Sequence, residues 1–279
     1  MIAAVTFPRG MRALFILAVV AMACSSFEPP GAYVRVPEAS PFAKVFVGGP
    51  EESGIRAADT VELTSVGAPE PERLPDNGAW VVRAREDTLT VWDKPRQDAA
   101  VRFAIAATNP WNQQIAFPLL NDRRSLGGRI WYRILMGIEP NGSRGWIRAA
   151  DVSMERASHR IVVDMSDRTL RHFRAGRLRH RFRVGIGAPD TPTVPGQFFV
   201  WAHLRPRDPN GAYGSYLLGL SGFSEVLTYW PGGGRMAIHG TPTSSDRGRE
   251  VSFGCVRVYN RQMNRLRDVP MGTLVVLRL

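Results

Sequence analysis

From Ala79 onward, short runs of apolar, β-branched and aromatic residues alternate with turn residues, and this pattern restricts the fold more than any other feature. Five such runs come before residue 150, at 80–82, 88–92, 102–105, 130–134 and 145–147. Turn segments rich in Pro, Asn, Gly and Asp separate them. Because no stretch shows a sustained 3.6-residue apolar repeat, helices are not expected to form the core. The sequence predicts a mainly β protein.

The β pattern continues near Ser158 to the end of the chain. Further strands are predicted at 161–165, 169–173, 180–186, 198–204 and 274–277, with one short helix at 261–268. This second β-rich region is expected to be a separate domain, because 279 residues leave room for two modest domains.

Residues 1–24 have the features of an export signal. Arg9 and Arg12 precede an apolar run at 13–23, which is too short to span a bilayer comfortably. Cys24 follows Ala21-Met22-Ala23, as at a bacterial lipoprotein cleavage site, and is therefore a candidate lipidation residue. Ordinary cleavage that discards Cys24 is the alternative, and both remain open. Either one predicts an exported protein of the cell envelope, with membrane contact only through an N-terminal anchor.

Residues 25–78 contain eight prolines and few long apolar runs. Such a segment buries too little apolar surface to offset its ordering entropy. The sequence therefore predicts a flexible Pro-rich tether between the signal region and the folded part.

The net charge of +11 is unevenly distributed. Residues 1–24 contribute +2 and residues 25–78 contribute −5, so residues 79–279 carry the remaining +14. An exported basic protein meets anionic envelope polymers and lipid headgroups, so anionic cell-wall polymers are a candidate partner. A solvated cationic surface without a specific partner is the favoured interpretation. No tight Lys/Arg block with interleaved aromatic residues indicates nucleic-acid binding.

The residues with the most reactive chemistry lie between 236 and 260. Cys255 is the only cysteine beyond Cys24, and His239 precedes it by sixteen positions. A catalytic cysteine needs a base that removes its proton, and imidazole suits that role near neutral pH. Gly254 allows a carbonyl substrate to approach the backbone, and the N–H groups of Gly254 and Cys255 are candidate oxyanion donors. The segment predicts a cysteine nucleophile with a histidine base.

The surrounding residues resemble a known family. The chain contains H-G-T at 239–241, S-x-G-C-x-R-x-x-N at 252–260 and L-x-x-V-P-x-G-T-x-V at 266–275. This combination resembles the L,D-transpeptidase catalytic domain, the YkuD-like family. The run T-P-T-V-P-G-Q-F at 191–198 resembles a further element of the family. Phe253 stands where the family often has His or Asn, and Gln262 stands near a position that is often acidic.

The resemblance implies a β-sandwich catalytic domain at 158–279 that forms peptidoglycan cross-links by acyl transfer through a cysteine thioester. L,D-carboxypeptidase activity would follow when water replaces the acceptor amine. The implied substrates are peptidoglycan stem peptides, carbapenem-type β-lactams are the implied covalent inhibitors, and no cofactor is implied. Cys255 would be the nucleophile and His239 the base, with the carbonyl of Gly240 orienting the imidazole. The candidate substrate-binding residues are Arg257, Ser252, Gly254, Thr241 and Tyr213, with Ser221 and Phe223 as further candidates.

Several alternatives stay open. Arg257 is expected to pair either with a substrate carboxylate or with an acid of its own domain. Segment 205–235, which holds ten glycines and prolines, is expected to be either a wall of the substrate groove or a structural loop. A metal site is rejected, because one cysteine and scattered histidines do not supply three or four ligands at local spacing. The alternative function is a non-catalytic, wall-binding lipoprotein with a degenerate transpeptidase domain.

A second resemblance concerns the first β-rich region. The runs W-Y-R-I-L at 131–135 and G-S-R-G-W-I-R-A-A-D-V at 142–152 resemble the closing strands of bacterial SH3-like wall modules. A small SH3-like barrel is therefore expected at 79–155. Trp131 and Trp146 are expected to pack in its core rather than to serve as ligand platforms.

Overall fold

The computed structural model describes residues 79–96, 98–227 and 233–279. The predicted signal peptide with Cys24 and the predicted Pro-rich tether lie outside these residues. The described part is mainly β, as predicted. Within it, no helix combines the length and apolar character needed to cross a membrane.

The first β-rich region is one antiparallel sheet of seven strands, in the order β3-β2-β6-β5-β4-β1-β7. The strands are β1 (Ala79–Ala84), β2 (Thr88–Trp92), β3 (Val101–Ala106), β4 (Phe117–Leu126), β5 (Arg129–Leu135), β6 (Arg144–Arg148) and β7 (Val152–Ala157). A 3-10 turn at Ala149–Asp151 precedes β7. Strand β7 pairs along the whole of β1, so this unit extends to residue 157, two residues beyond the predicted boundary.

All five predicted runs of this region are strands, whereas β4 and β7 were not predicted. The second half of β4, Asn121–Leu126, is polar and largely exposed, because it pairs with β5 at the rim of the sheet and lacks the usual alternation. Trp131 and Trp146 are buried together with Trp92, as predicted. The resemblance to SH3-like modules stays a prediction.

The second region is built around an eight-stranded sheet in the order β10-β9-β8-β17-β12-β13-β14-β16, beside a parallel β11–β15 pair. The strands are β8 (His159–Asp164), β9 (Thr169–Arg174), β10 (Arg177–Arg183), β11 (Ile186–Gly187), β12 (Gly196–Leu204), β13 (Leu217–Phe223), β14 (Arg235–Thr241), β15 (Glu250–Ser252), β16 (Val256–Tyr259) and β17 (Leu274–Arg278). Helix α1 (Asn260–Met263) and 3-10 turns at Ser244–Asp246 and Asn264–Leu266 complete it. The predicted helix is thus one α-helical turn that continues as a 3-10 turn.

The eight-stranded sheet curls until its two edges meet. Directly after β10, Gly185 forms an antiparallel bridge with Arg257 of β16, the strand at the opposite edge. The β11–β15 pair adds a second connection nearby. Full or near closure removes most of the unpaired edge. The second region is therefore close to a barrel.

Two hydrophobic clusters lie on the two faces of this barrel. The barrel core fills the inside and includes Ile161, Phe182, Leu218, Ile238 and Val256. The interface core lies outside and joins side chains of the seven-stranded sheet to Trp201, Leu217 and Ala237 of the barrel. Strand β13 lies between the two cores, and all seven of its residues are buried. Segment 217–223 is thus a central strand and not a lid or a loop.

The glycines of β13 explain why the sequence pattern is misleading here. A Cβ on Gly222 would collide with the ring of Phe198, and one on Gly219 would crowd Ala202. These positions need the smallest residue because large neighbours pack against the backbone, not because the chain turns.

Amide side chains from the seven-stranded sheet bind the barrel main chain at two places where its ladders are irregular. Asn141 donates to the carbonyl of Phe223 and accepts from its N–H, each at 2.8 Å. Gln113 does the same for His203, at 2.6 and 2.9 Å. Both contacts lie beside register shifts in the β12–β13 and β13–β14 pairs. Because each amide supplies one donor and one acceptor, it replaces a missing ladder partner.

The buried guanidinium of Arg235 makes a third connection. It donates to the carbonyl of Gly137 at 2.8 Å and to that of Ser221 at 3.2 Å, and it lies against the rings of Trp201 and Phe223. Burial lowers the pKa of Arg235 to about 9. The seven-stranded sheet and the barrel are therefore joined by polar contacts as well as by the shared interface core.

These contacts predict that Asn141→Ala lowers the free energy of unfolding of the whole described unit. Two main-chain groups of the buried Phe223 lose their partners, so the expected loss is about 1–3 kcal/mol. Urea denaturation followed by tryptophan fluorescence measures it, with the exposed Asn121→Ala as the control. Equal stability of the two variants would show that the Asn141 contact does not hold the sheets together.

Candidate active site

The register of one parallel strand pair positions the predicted nucleophile and base. His239 of β14 lies opposite Arg257 of β16, and Ile238 lies opposite Val256. Ile238 and Val256 point into the barrel core, so their neighbours in each strand point outward. Cys255 immediately precedes β16, beside Ala237, and packs in the interface core. His239 and Cys255 therefore lie on the same outer face, one diagonal step apart.

The imidazole of His239 is held by the residue that follows it. Its Nδ1 lies 2.8 Å from the carbonyl oxygen of Gly240, which is the contact that the family resemblance implies. Since a carbonyl only accepts, Nδ1 carries the proton and Nε2 has the free lone pair. The site leaves no room for a side chain at Gly240, because a Cβ there would collide with the amide oxygen of Asn260.

A tight turn delivers Cys255. The hydroxyl of Ser252 donates to the carbonyl of Cys255 at 2.5 Å and accepts the N–H of Gly254 at 3.2 Å. Gly254 has a φ of +103°, which a residue with a side chain adopts only with strain. Ser252 is buried and shapes this turn, so the structure gives it a positioning role rather than the predicted substrate contact.

The hydrogen bonds of this turn change the prediction that the N–H groups of Gly254 and Cys255 both bind an oxyanion. The N–H of Gly254 is already bonded to Ser252, so it is not available to a substrate oxygen in this conformation. Of the two N–H groups predicted for this role, that of Cys255 is left.

Burial dominates the electrostatics of the pair. Desolvation raises the pKa of Cys255, although a backbone hydrogen bond from Ala237 and the charge of Arg257 lower it in part. Desolvation lowers the pKa of His239 to about 4, against the opposing effects of the Gly240 hydrogen bond and the Asp246 charge. At neutral pH the resting pair is therefore an uncharged thiol beside an uncharged imidazole.

Arg257 pairs with an acid of its own domain. Its Nη1 lies 3.3 Å from Oδ2 of the buried Asp246, which also accepts the hydroxyl of Thr241 at 2.9 Å. Thr241 in turn accepts the N–H of Thr243 at 3.1 Å. Thr241 is buried and its hydroxyl donates one bond and accepts one inside the domain, which argues against its predicted contact with substrate. Of the two partners expected for Arg257, the structure shows the internal one.

Asp246 was not identified from the sequence, because it lies in the polar run 241–250, which lacks periodicity. Only the fold brings it to Arg257, eleven positions later. The role of Asn260 was also missed, although it belongs to the quoted motif.

Asn260 holds the loop that covers His239. Its amide oxygen accepts the N–H of Ser215 at 2.9 Å and its Nδ2 donates to the carbonyl of Pro209 at 2.7 Å. These bonds fix the loop that carries Tyr213, whose half-buried ring meets the imidazole of His239 edge-on with centroids 5.3 Å apart. Tyr213 therefore lies beside His239, and its predicted contact with substrate stays a prediction.

The two further candidates are structural. Ser221 is buried in β13, where its hydroxyl accepts the N–H of Phe199 at 3.0 Å. Phe223 is buried against the guanidinium of Arg235. Both are covered by the seven-stranded region, because Ser221 packs against Gly137 and Asn141 binds the main chain of Phe223. Within the described residues, no group of three or more His, Cys, Asp or Glu could hold a metal ion.

Comparison with known proteins identifies this region. Residues 158–277 match the family model described as the L,D-transpeptidase catalytic domain, YkuD. A curated protein of Bacillus licheniformis, assigned as the L,D-transpeptidase YkuD, is 35% identical over 118 residues, which is 42% of this chain and 64% of that protein. Its counterpart in Bacillus subtilis is 30% identical over 120 residues, 43% of this chain and 65% of that protein. The matches span just under two thirds of each relative.

Solved structures give more distant similarities. The catalytic domain of Enterococcus faecium L,D-transpeptidase acylated by ertapenem is 21% identical, with a TM-score of 0.33 over 43% of this chain and 97% of that one. The L,D-transpeptidase of Mycobacterium smegmatis is 14% identical, with a TM-score of 0.35 over 54% of this chain and 91% of that one.

The second region is thus a nearly closed barrel that carries Cys255 and His239 on its outer face. Residues 158–277 of this chain are similar in sequence to L,D-transpeptidase catalytic domains.

Proposed function

We propose that this protein is an L,D-transpeptidase that forms peptidoglycan cross-links by acyl transfer through a thioester on Cys255. The observation that carries the proposal is the placement of Cys255 and His239 on one face, with His239 Nδ1 held by the carbonyl of Gly240. This arrangement leaves Nε2 of His239 as the base, and Gly240 takes the orienting role that an acid has in other nucleophile–base–third-group sites.

The reaction has two steps. In the first, the Cys255 sulfur attacks the carbonyl carbon of the donor stem while its proton passes to His239 Nε2. The carbon–nitrogen bond then breaks, the D-residue leaves as an amine with that proton, and a thioester remains. In the second step the amine of another stem gives up a proton to His239 and attacks the thioester, which releases the thiol and forms the cross-link. Water in place of that amine gives carboxypeptidase activity.

The main-chain N–H of Cys255 is the proposed donor to the developing oxyanion. A single well-placed donor of this type contributes about 3–4 kcal/mol to catalysis. Ser252 supports it indirectly, because its two hydrogen bonds hold the turn in shape.

Tyr213 and Arg257 are the proposed contacts to substrate. Tyr213 lies over His239 on a loop fixed by Asn260, so its ring borders the reacting atoms. Arg257 points outward on the same face, and only its Nη1 pairs with Asp246, so the rest of its guanidinium can meet a substrate carboxylate.

The proposed setting is the cell envelope, with peptidoglycan stem peptides as substrates and carbapenem-type β-lactams as covalent inhibitors. Export, an N-terminal anchor and contact with anionic wall polymers are further parts of the proposal. The competing function, a wall-binding lipoprotein without activity, does not require the hydrogen-bonded His239 or the shaped turn before Cys255.

Cys255→Ala and His239→Ala should each abolish cross-link formation. The first removes the nucleophile and the second removes the base, so either loss blocks thioester formation. Chromatography of the products from a purified disaccharide-tetrapeptide measures the reaction, with the exposed Arg129→Gln as the control. Cross-links formed by either active-site variant would refute the proposed roles, and their absence in the wild type would favour the non-catalytic alternative.

The pH dependence of Cys255 acylation by a carbapenem should reflect the lowered pKa of His239. A base works only when unprotonated, and His239 stays unprotonated until the pH falls towards about 4. The rate should thus change little between about pH 7 and about pH 5 and fall below that, whereas an ordinary imidazole would begin to fail near pH 6.5. Stopped-flow measurement of the acylation rate checks this. An acid limb centred at the ordinary value would contradict the buried, uncharged imidazole.

A further inference from the structure

Strand β10 carries arginine at positions 177, 179, 181 and 183, and all four are exposed. We call these residues the β10 arginine row. Phe182 and Val184 point into the barrel core, so Arg181 and Arg183 point outward. Arg181 and Arg183 therefore lie on the outer surface of the barrel, and Arg177 and Arg179 are exposed beyond a register shift between Leu178 and His180.

The row ends beside the active site. Two residues after Arg183, the main chain of Gly185 pairs with that of Arg257 through hydrogen bonds of 2.9 and 2.8 Å. Two strand residues cover about 7 Å. The guanidinium of Arg183 lies over Gly248, in the loop that also carries Asp246, so that a Cβ at 248 would collide with it. Arg183 thus lies close to strand β16, which carries Arg257 and directly follows Cys255.

A depression of about 340 Å³ lies at this end of the row, lined by Asp167, Thr169, Arg181, Phe182 and Arg183. The acid in it is already compensated, because Oδ2 of Asp167 lies 3.2 Å from Arg171 and 3.8 Å from Arg181. Among the described residues, Arg183 makes no ion pair. The depression therefore has a positive balance and a guanidinium fork that is free to bind an anion.

The guanidinium groups of this surface indicate which kind of anion it binds. A guanidinium binds a carboxylate through two parallel hydrogen bonds. Resting on the function proposed above, which supplies the substrate class, we propose that the β10 arginine row and its depression bind carboxylates of peptidoglycan stem peptides next to the reacting stem. The row would hold the wall polymer while Cys255 acts on one of its stems.

Other ligands fit the surface less well. Nucleic-acid readers place aromatic rings where bases can stack, but the aromatic side chain of β10, Phe182, points inward. A membrane would meet a uniformly basic face, whereas the arginines of β10 and of its neighbour β9 have carboxylates among them at Asp167, Glu250 and Asp268. Charged edge strands also prevent unwanted strand pairing, but that role requires neither the depression nor its position beside Arg257.

Co-sedimentation of the full chain with purified peptidoglycan sacculi tests the proposal. Arg181→Gln/Arg183→Gln should weaken binding roughly tenfold, because charge-assisted hydrogen bonds are lost. The control is Arg85→Gln/Arg129→Gln, which removes the same charge from exposed positions of the seven-stranded sheet. Circular dichroism shows that both variants fold.

A second measurement uses the wild-type protein alone, so it does not depend on how any variant folds. Sacculi whose carboxylates have been converted to neutral amides should bind it about as weakly as native sacculi bind Arg181→Gln/Arg183→Gln. Equal binding of native and amidated sacculi would overturn the proposal. An equal loss of sacculus binding in both double variants would also overturn it. So would a loss of binding to DNA or to anionic vesicles in Arg181→Gln/Arg183→Gln while its binding to sacculi is unchanged.

Failure of this inference can be told apart from failure of the proposed enzyme function. Sacculus binding is measured without turnover, whereas the enzyme function is tested by the products formed from a soluble disaccharide-tetrapeptide. Turnover without carboxylate-dependent binding would refute the role proposed for the β10 arginine row and support the proposed enzyme function. Carboxylate-dependent binding without turnover would refute the proposed enzyme function and support a wall-binding role for the arginine row.

Discussion

The active site depends on the parallel pairing of β14 with β16. Ile238 and Val256 lie opposite each other in this pair and are buried in the barrel core. Strand β16 therefore cannot slip by one residue without turning Val256 and Val258 out of that core. The same register sends His239 and Cys255 to the outer face. Hydrophobic burial on the inside of the barrel thus places a sulfur and an imidazole together on the outside.

The seven-stranded sheet determines the environment of that outer face. It packs over Ala237 and Leu217 and brings Cys255 and Tyr213 into the interface core. Desolvation there keeps both the thiol and the imidazole of His239 uncharged at neutral pH, which reverses the ion-pair state that many reactive cysteines adopt at rest. Proton transfer is consequently expected to accompany attack on the substrate rather than to precede it.

The parts of the site that sequence analysis predicted are local along the chain. His239 and the carbonyl that holds it are adjacent residues, and Cys255 is the lone thiol beyond Cys24 in a dense motif. What it missed depends on contacts across the fold. Asp246 meets Arg257 only after β14 and β16 have paired, and the hydroxyl of Ser252 could serve either a substrate or a turn until the turn is seen.

The same distinction applies to the fold. Short β-rich runs identified most strands, but β13 was hidden because close packing against Phe198 requires glycine at 222. No pattern in the sequence indicated that Asn141 and Gln113 would complete ladders of the other sheet, since each contact joins residues about 80 to 90 positions apart.

The central claim is that His239 makes the Cys255 sulfur reactive, and peptide-mapping mass spectrometry after carbapenem exposure tests it most directly. The wild-type protein should gain one covalent adduct on the peptide that contains Cys255. Cys255→Ala should gain none, and His239→Ala should react far more slowly. An adduct elsewhere, or an equally fast adduct without His239, would contradict the account.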